Sequence, residues 1–514
     1  MLLSDLVDTS QAVGATRSRS AKKALIADAL RRAAADEVET VVTYLSGELR
    51  QRRTGIGWRT LQSPPPPAAE PGLSVADVHD ALQHLSTLAG PGSQTARQQG
   101  VAKLFARATA DEQSFLARLV GGELRQGALD GVMVDAVAAA AEVPVADLRR
   151  AVMLRGATAP VAAVALASGA EALSTFTLTV GQPLRPMLAA TAPDVESAVT
   201  KVQSTGSAEV GVEWKLDGIR VQVHRAGDDV RVFTRSLDDI TGRVPEIVES
   251  TLTLPVRSVV LDGEAIALDP TGRALPFQQT GARTMSHVDV ETLRARVPLS
   301  TYFFDLLHLD GTDVLDLPAA ERVARLAEVV PEASRVPRLH TTDAAAAQGF
   351  FADAVARGHE GVVVKGLDAP YDAGRRGASW VKVKPRHTLD LVVLAVEWGH
   401  GRRQGWLSNL HLGARDEETG EFVMLGKTFK GLTDAMLGWQ TEALLALESS
   451  RSGEVVEVRP ELVVEIAFDG VQHSPRYPAG MALRFARVLR HRTDKTAAEA
   501  DTIATVRAIY AGDG

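Results

Sequence analysis

The spacing of apolar residues changes character once along this chain, near Thr175 to Met187, dividing it into regions of different fold. Before the change, from Ser20 to about Ala172, Ala- and Leu-rich segments place apolar residues three and four apart, the spacing of amphipathic helices. This predicts helices at 21–50 (broken near 33–36), 74–89, 95–108, 112–121, 133–141 and 145–153. The proline-rich stretch from Ser63 to Pro67 cannot continue a helix and reads as a stiff connector. After the change, β-branched runs at 208–214, 219–224, 230–234, 258–268 and 301–307 mix with helical patterns near 244–252, 318–330 and 342–357. Strands and helices do not alternate strictly, so α+β with antiparallel sheets is expected rather than a doubly wound fold. From His387 onward come short strands at 389–398, 405–412, 421–427, 455–458, 462–468 and 481–488, with one helix at 433–447. That pattern fits a small Greek-key β-barrel of the OB type. The expected fold class is multidomain: an all-α domain over 1–178, an α+β domain over 179–386 and an OB-fold β-barrel domain over 387–514.

A length of 514 residues exceeds what one hydrophobic core serves, in keeping with about three domains. No apolar run approaches the roughly 20 residues of a membrane span, and Met1 to Asp8 has no secretion pattern. A cytoplasmic monomer with no membrane partner is expected. Cysteine is absent, which excludes disulfides, thiolate zinc sites, iron–sulfur clusters and cysteine catalysis. The net charge of −8 does not exclude a nucleic-acid partner, because binding follows the local distribution of Lys and Arg. Residues 1–178 balance 18 basic against 18 acidic residues, so the negative excess lies in the remainder.

The chain uses 11 lysines against 45 arginines, which marks each retained lysine as a candidate for chemistry that arginine cannot do. Lys215 sits in Glu213-Trp214-Lys215-Leu216-Asp217-Gly218-Ile219-Arg220, inside an apolar, β-prone run. On a strand, Lys215 and Asp217 would share a face; Gly218 would turn the chain and Arg220 would return to the same cleft. A desolvated lysine beside other cations loses its proton more easily and becomes a nucleophile, while the bland reading is a solvent-facing strand lysine. Further segments share this character: Thr234-Arg235-Ser236, Asp262-Gly263-Glu264, Tyr302-Phe303-Phe304-Asp305, Glu360 to Lys365, and Trp380-Val381-Lys382-Val383-Lys384. Lys382 and Lys384, two apart, are expected on one strand face. One candidate nucleophile, several cations, acids in apolar strands and an aromatic face make an inventory suited to nucleotidyl transfer. Neither G-x-x-x-x-G-K-[ST] nor G-x-G-x-x-G is present, which argues against a kinase.

The ordered set K-x-D-G-x-R, Arg235-Ser236, Glu264, Phe304-Asp305, E-G-V-V-V-K, W-V-K-V-K and the run Arg484 to Lys495 resembles the ATP-dependent DNA ligases of bacterial and archaeal type. The resemblance covers nearly the whole chain. It implies that Lys215 attacks the α-phosphate of ATP, with Glu213 and Phe304 against adenine and Arg220 and Glu264 at the ribose. It implies phosphate contacts for Arg235, Lys365, Arg376, Lys382 and Lys384, with Mg²⁺ near Glu360 and Glu264. Arg492, Asp494 and Lys495 would orient pyrophosphate. The glycine-bearing segments at 44–58 and 121–127 read from spacing alone as helix caps with solvated arginines. The resemblance instead makes Arg52, Arg53 and Arg125 contacts to nicked duplex DNA. Leu237 stands where a polar residue is common and Ala486 where proline is common. RNA ligases and GTP-using capping enzymes are disfavoured by the large helical region, and NAD-dependent ligases by the absence of cysteine. A non-catalytic DNA-binding scaffold is disfavoured by the intact Lys215, Glu264, Glu360, Lys382 and Lys384.

Overall fold

The computed structural model describes residues 1–51, 54–124, 126, 130–275, 277–286, 289–372 and 376–511, with Arg376 described in its backbone alone. The chain forms two compact units, the first from Met1–Ala347 with Val363–Lys382, the second from Gln348–Val362 with the chain from Val383 onward.

The first unit opens with helices. Leu3–Ala15, Arg19–Arg32, Val38–Leu45, Val75–Thr87, Ser93–Ala106, Ala110–Val120, Asp130–Ala141, Val145–Arg155 and Thr158–Leu173 bury their Leu, Val and Ala faces in one cluster. The break expected near 33–36 is present, with Ala33 extended at the end of the Arg19–Arg32 helix. Local chemistry fixes the starts: Ser74 with Asp77, and Thr109 with Glu112, form reciprocal capping boxes that satisfy first-turn amides. The Leu3–Ala15 and Thr158–Leu173 helices are additions to those predicted.

Two five-stranded sheets follow. One is antiparallel, in the order Asp229–Thr234, Ile219–Ala226, Ser258–Ala267, Leu299–Leu309, Thr312–Asp313. The other runs Leu188–Thr191, Arg376–Val383, Val362–Gly366, Val210–Trp214, Arg338–Thr341. Its Leu188–Thr191 strand pairs in parallel with Arg376–Val383, so the sheets are not uniformly antiparallel as expected. A parallel pair joins segments far apart in sequence, which local alternation does not reveal.

The strand Ile219–Ala226 shows how period-two patterning divides labour. Val221 and Val223 are fully buried in the core with Ile247 and Leu261. Arg220, Gln222 and His224, on the opposite face, grip the main chain of the segment leading from the helices. His224 Nδ1 accepts from the Gly181 amide at 3.0 Å, and Nε2 donates to Gln222 Oε1 at 2.9 Å. That oxygen also accepts from the Leu184 amide at 2.9 Å, while Gln222 Nε2 donates to the Leu184 carbonyl at 3.2 Å. Met153, Leu154, Leu184 and Met187 then pack with Val260, Leu307, Tyr371 and Trp380, so apolar contact ties the last helices to the sheets. Arg150 adds a paired contact to Asp316, 2.6 Å at each oxygen.

The second unit is β-rich. The twelve-residue strand His387–Trp398 pairs with Val463–Phe468 along its first half and with Leu407–Arg415 and Val455–Val458 along its second. Asp434–Ala446 is the expected helix, and Leu437 and Leu444 seal the strands' apolar face. The strand predicted at 481–488 is two, Met481–Arg484 and Arg487–His491. Phe485 between them has φ +56°, which breaks an extended ladder.

Burial, with the charge of His308 adding to it, pushes His224 down to about 3. An unfolded histidine takes a proton near pH 6.5 while the folded one does not, so stability is present above pH 6.5 and falls as pH drops toward 3. Between pH 7.5 and 5.5 urea titrations should show the parent losing about 1 kcal/mol more than His224→Gln. Equal losses in the two proteins would contradict this role.

Candidate active site

Strand pairing ends at Trp214 and resumes at Ile219, so Lys215 and Asp217 lie in the connection between strands, not on one strand face as expected. The two strands belong to different sheets, so the chain crosses between them here; a Cβ at Gly218 would come within 2.3 Å of the Ala265 carbonyl oxygen and of Ile266 Cγ2, so only a glycine lets the crossing press against the adjacent strand. Leu216 anchors the connection in a cluster with Ile266 and Val336, flanked by Trp214, Tyr302 and Phe304. Lys215 is thus carried on a short, pinned loop beside Phe304.

Glu213, two residues before Lys215, is 2% exposed. Arg338 stands directly opposite it in the strand register, with Nε 2.8 Å from Glu213 Oε1. Lys365 Nζ is 2.7 Å from Oε2. The same Lys365 amine lies 4.3 Å from the ring centre of Phe304 and 3.9 Å from that of Trp380. Burial lowers its affinity for a proton, opposed by Glu213 and reinforced by Arg338. Phe304 and Trp380 meet edge to face at 6.0 Å, and Trp380 meets Tyr371 likewise.

Arg220 is held bidentately by Asp262, at 2.9 Å from Nε and 2.5 Å from a terminal nitrogen, and donates also to the Met187 carbonyl at 2.6 Å. Tyr371 Oη donates to Asp262 at 2.7 Å and accepts from the Met187 amide at 3.0 Å. Burial, with the Asp262 charge beside it, raises the Tyr371 phenol well above its ordinary range. The guanidinium of Arg220 lies 5.4 Å from the Phe304 ring centre, and Glu264 is its partner in strand register. The buried acid anticipated in this strand is therefore Asp262, neutralised by Arg220. Asp305, beside Phe304, is likewise claimed by the fully buried Arg322 at 2.8 and 2.9 Å. Burial alone would raise the Asp305 carboxyl, but Arg322, joined by Lys365 and Arg338, lowers it.

Arg235 is exposed in the turn after the Asp229–Thr234 strand. Leu237 in that turn has φ +67°, an uncommon conformation for leucine. Lys382 lies on its strand and Lys384 one residue past its end. Within the second unit Lys384 Nζ bridges Glu360 at 2.9 Å and Asp469 at 3.5 Å, with Arg484 4.0 Å from Glu360. Arg492 and Lys495 both reach Asp390, at 2.7 and 2.6 Å, and Arg492 also holds Asp494 at 2.7 Å. Arg52, Arg53, Arg125 and the side chain of Arg376 lie outside the described residues. Among the described residues no group of three or more His, Asp or Glu could hold a metal ion. A divalent ion at Glu264 or Glu360 would therefore draw most of its ligands from phosphates and water, the usual manner of Mg²⁺. Sequence reasoning missed Arg338, Tyr371 and Asp469. Arg338 is in a four-residue strand too short to show alternation, and its meaning lies in a cross-strand register.

Three family models match the chain: ATP dependent DNA ligase domain at residues 186–384, ATP dependent DNA ligase C terminal region at 403–495, and DNA ligase N terminus at 59–138. A "Probable DNA ligase" of Beutenbergia cavernae is 62% identical over 99% of both chains. One of Nocardioides sp. is 60% identical over 99% of this chain and 98% of that one. A solved structure titled Pmar-Lig_Pre covers 95% of this chain and 99% of its own at a TM-score of 0.62 and 18% identity, a likeness of fold.

Gly218→Ala should lower stability by about 1–3 kcal/mol through forced separation of the strands. By shifting Lys215 it should also slow covalent labelling from radiolabelled ATP about 100-fold. Thermal melting and initial labelling rates read the two effects; an unchanged labelling rate would show that the turn does not position Lys215.

Proposed function

The chain belongs to the ATP-dependent DNA ligase family, and from that premise we propose that it seals nicks in duplex DNA through three in-line displacements at phosphorus. In the first, Lys215 Nζ attacks the α-phosphorus of ATP, forming a phosphoramidate to AMP as the bond to pyrophosphate breaks. In the second, the 5′-phosphate at the nick displaces the lysine and takes the AMP. In the third, the 3′-hydroxyl attacks that 5′-phosphorus, loses its proton and releases AMP. Positioning and charge neutralisation carry most of such catalysis.

The observation that carries this reading is the carboxylate of Glu213, locked by Arg338 and Lys365 beside the Phe304 ring and two residues before Lys215. Phe304 would stack on adenine and Glu213 would accept from its amino group. Arg220, held by Asp262 and Met187, would meet the ribose with Glu264. Arg235, Arg376, Lys382 and Lys384 would neutralise phosphates. Lys365 moves in this reading from the phosphates to the base, because its amine lies on aromatic faces. Glu264 and Glu360 would supply carboxylates to Mg²⁺, which when bound neutralises phosphate charge. Arg492, Asp494 and Lys495 would orient pyrophosphate.

A DNA-binding domain over 1–178 would place Arg52, Arg53 and Arg125 on the nick, followed by an adenylation domain over 179–386 and an OB-fold domain over 387–514. A cytoplasmic monomer acting in DNA replication, repair or recombination fits that layout.

A gel of nicked duplex incubated with protein and ATP, GTP or NAD should show sealing with ATP and Mg²⁺ and its loss with chelator. Sealing supported by NAD, or none with ATP, would refute the proposal.

A further inference from the structure

We infer that Arg338 is the positioning residue for base selection: it ties the acid proposed to read adenine to the residue proposed to stack on it. The inference rests on the adenine reading of Glu213 and Phe304 and extends it to a side chain outside every motif that carried the resemblance.

Three contacts make the case. Arg338 lies opposite Glu213 in the register of adjacent antiparallel strands, so the two side chains leave the sheet on the same face. Its Nε and a terminal nitrogen both address Glu213 Oε1. That terminal nitrogen also donates to the carbonyl of Phe304 at 2.9 Å. A planar guanidinium with fixed donor directions therefore sets the distance between the carboxylate and the main chain that carries the ring. Arg338 is 11% exposed at its side chain and Glu213 3%, so the pair is little screened by solvent.

The two oxygens of Glu213 then have different duties. Oε1 is committed to Arg338. Oε2 faces the Lys365 amine, which itself rests over Phe304 and Trp380. A purine stacked on Phe304 would present its 6-amino group to Oε2, adding an N–H donor beside the ion pair with Lys365 while Oε1 stays fixed. A purine with a 6-oxo group would place an acceptor against a carboxylate, which repels it. Discrimination of this kind needs the carboxylate held still, because a mobile acid could turn away from the wrong base.

The test compares self-adenylation by full-length parent, Arg338→Met, Arg338→Lys and Glu213→Gln. The nucleotides are ATP, GTP and the triphosphate of purine riboside, which lacks the 6-amino group. KM and kcat are measured for each, with thermal melting as the check of folding. Arg338→Met should narrow the kcat/KM preference for ATP over purine riboside triphosphate at least about ten-fold, mainly through KM. Arg338→Lys, keeping charge but not the fork, should give an intermediate ratio, and it carries the comparison if Arg338→Met does not melt cooperatively. An unchanged ratio in both Arg338 variants with a narrowed ratio in Glu213→Gln would overturn the role of Arg338 alone. An unchanged ratio in Glu213→Gln would overturn the adenine reading beneath it.

Discussion

The salt bridge between Arg220 and Asp262 is the interaction on which the face carrying Phe304 and Trp380 depends. Asp262 is fully buried, and an unpaired carboxylate there would cost several kcal/mol. Arg220 supplies two parallel N–H donors and Tyr371 a third, so the desolvation of the acid is offset by short, charge-assisted bonds. The same network takes in the carbonyl and amide of Met187. One buried carboxylate thereby joins its sheet to the loop that follows the Val362–Gly366 strand and to the segment arriving from the helices, and fixes Arg220 5.4 Å from the Phe304 ring centre.

A second caged acid, Glu213, works by the same physics with a different outcome. Its partners are a rigid guanidinium on one oxygen and a flexible ammonium on the other. The first is suited to holding a geometry and the second to giving way, a division that follows from the chemistry of arginine and lysine. Asp305 completes the series: Arg322, also bonded to the carbonyls of Leu317 and Ala369, turns the acid after Phe304 into a clamp on the helix Ala319–Val329. Of the acids placed in these strands, Asp262 and Asp305 hold the architecture together, and Glu213 faces the aromatic pocket.

The helical first third and the strands bracketing Lys215 were legible in the sequence because their signals are local: apolar residues three and four apart, and Val221 and Val223 alternating with polar neighbours. Lys215 stands out as a candidate because K-x-D-G-x-R is a short contiguous pattern. What escaped was long-range. The parallel pairing of Leu188–Thr191 with Arg376–Val383 joins strands nearly 190 residues apart, and Arg338 meets Glu213 only by lying opposite it in register. The expectation that Lys215 sits on a strand failed because Val210–Trp214 and Ile219–Ala226 belong to different sheets, so the residues between them are a crossing that no local pattern reveals. The single strand expected at 481–488 failed at Phe485, whose positive φ no hydrophobic pattern encodes.

The central claim is that Lys215 carries AMP covalently. Full-length protein incubated with ATP and Mg²⁺, quenched and digested, should yield by mass spectrometry one adenylated peptide, with the modification on Lys215 and none in the Lys215→Ala protein. An adduct on another lysine, or undiminished adenylation of Lys215→Ala, would contradict it.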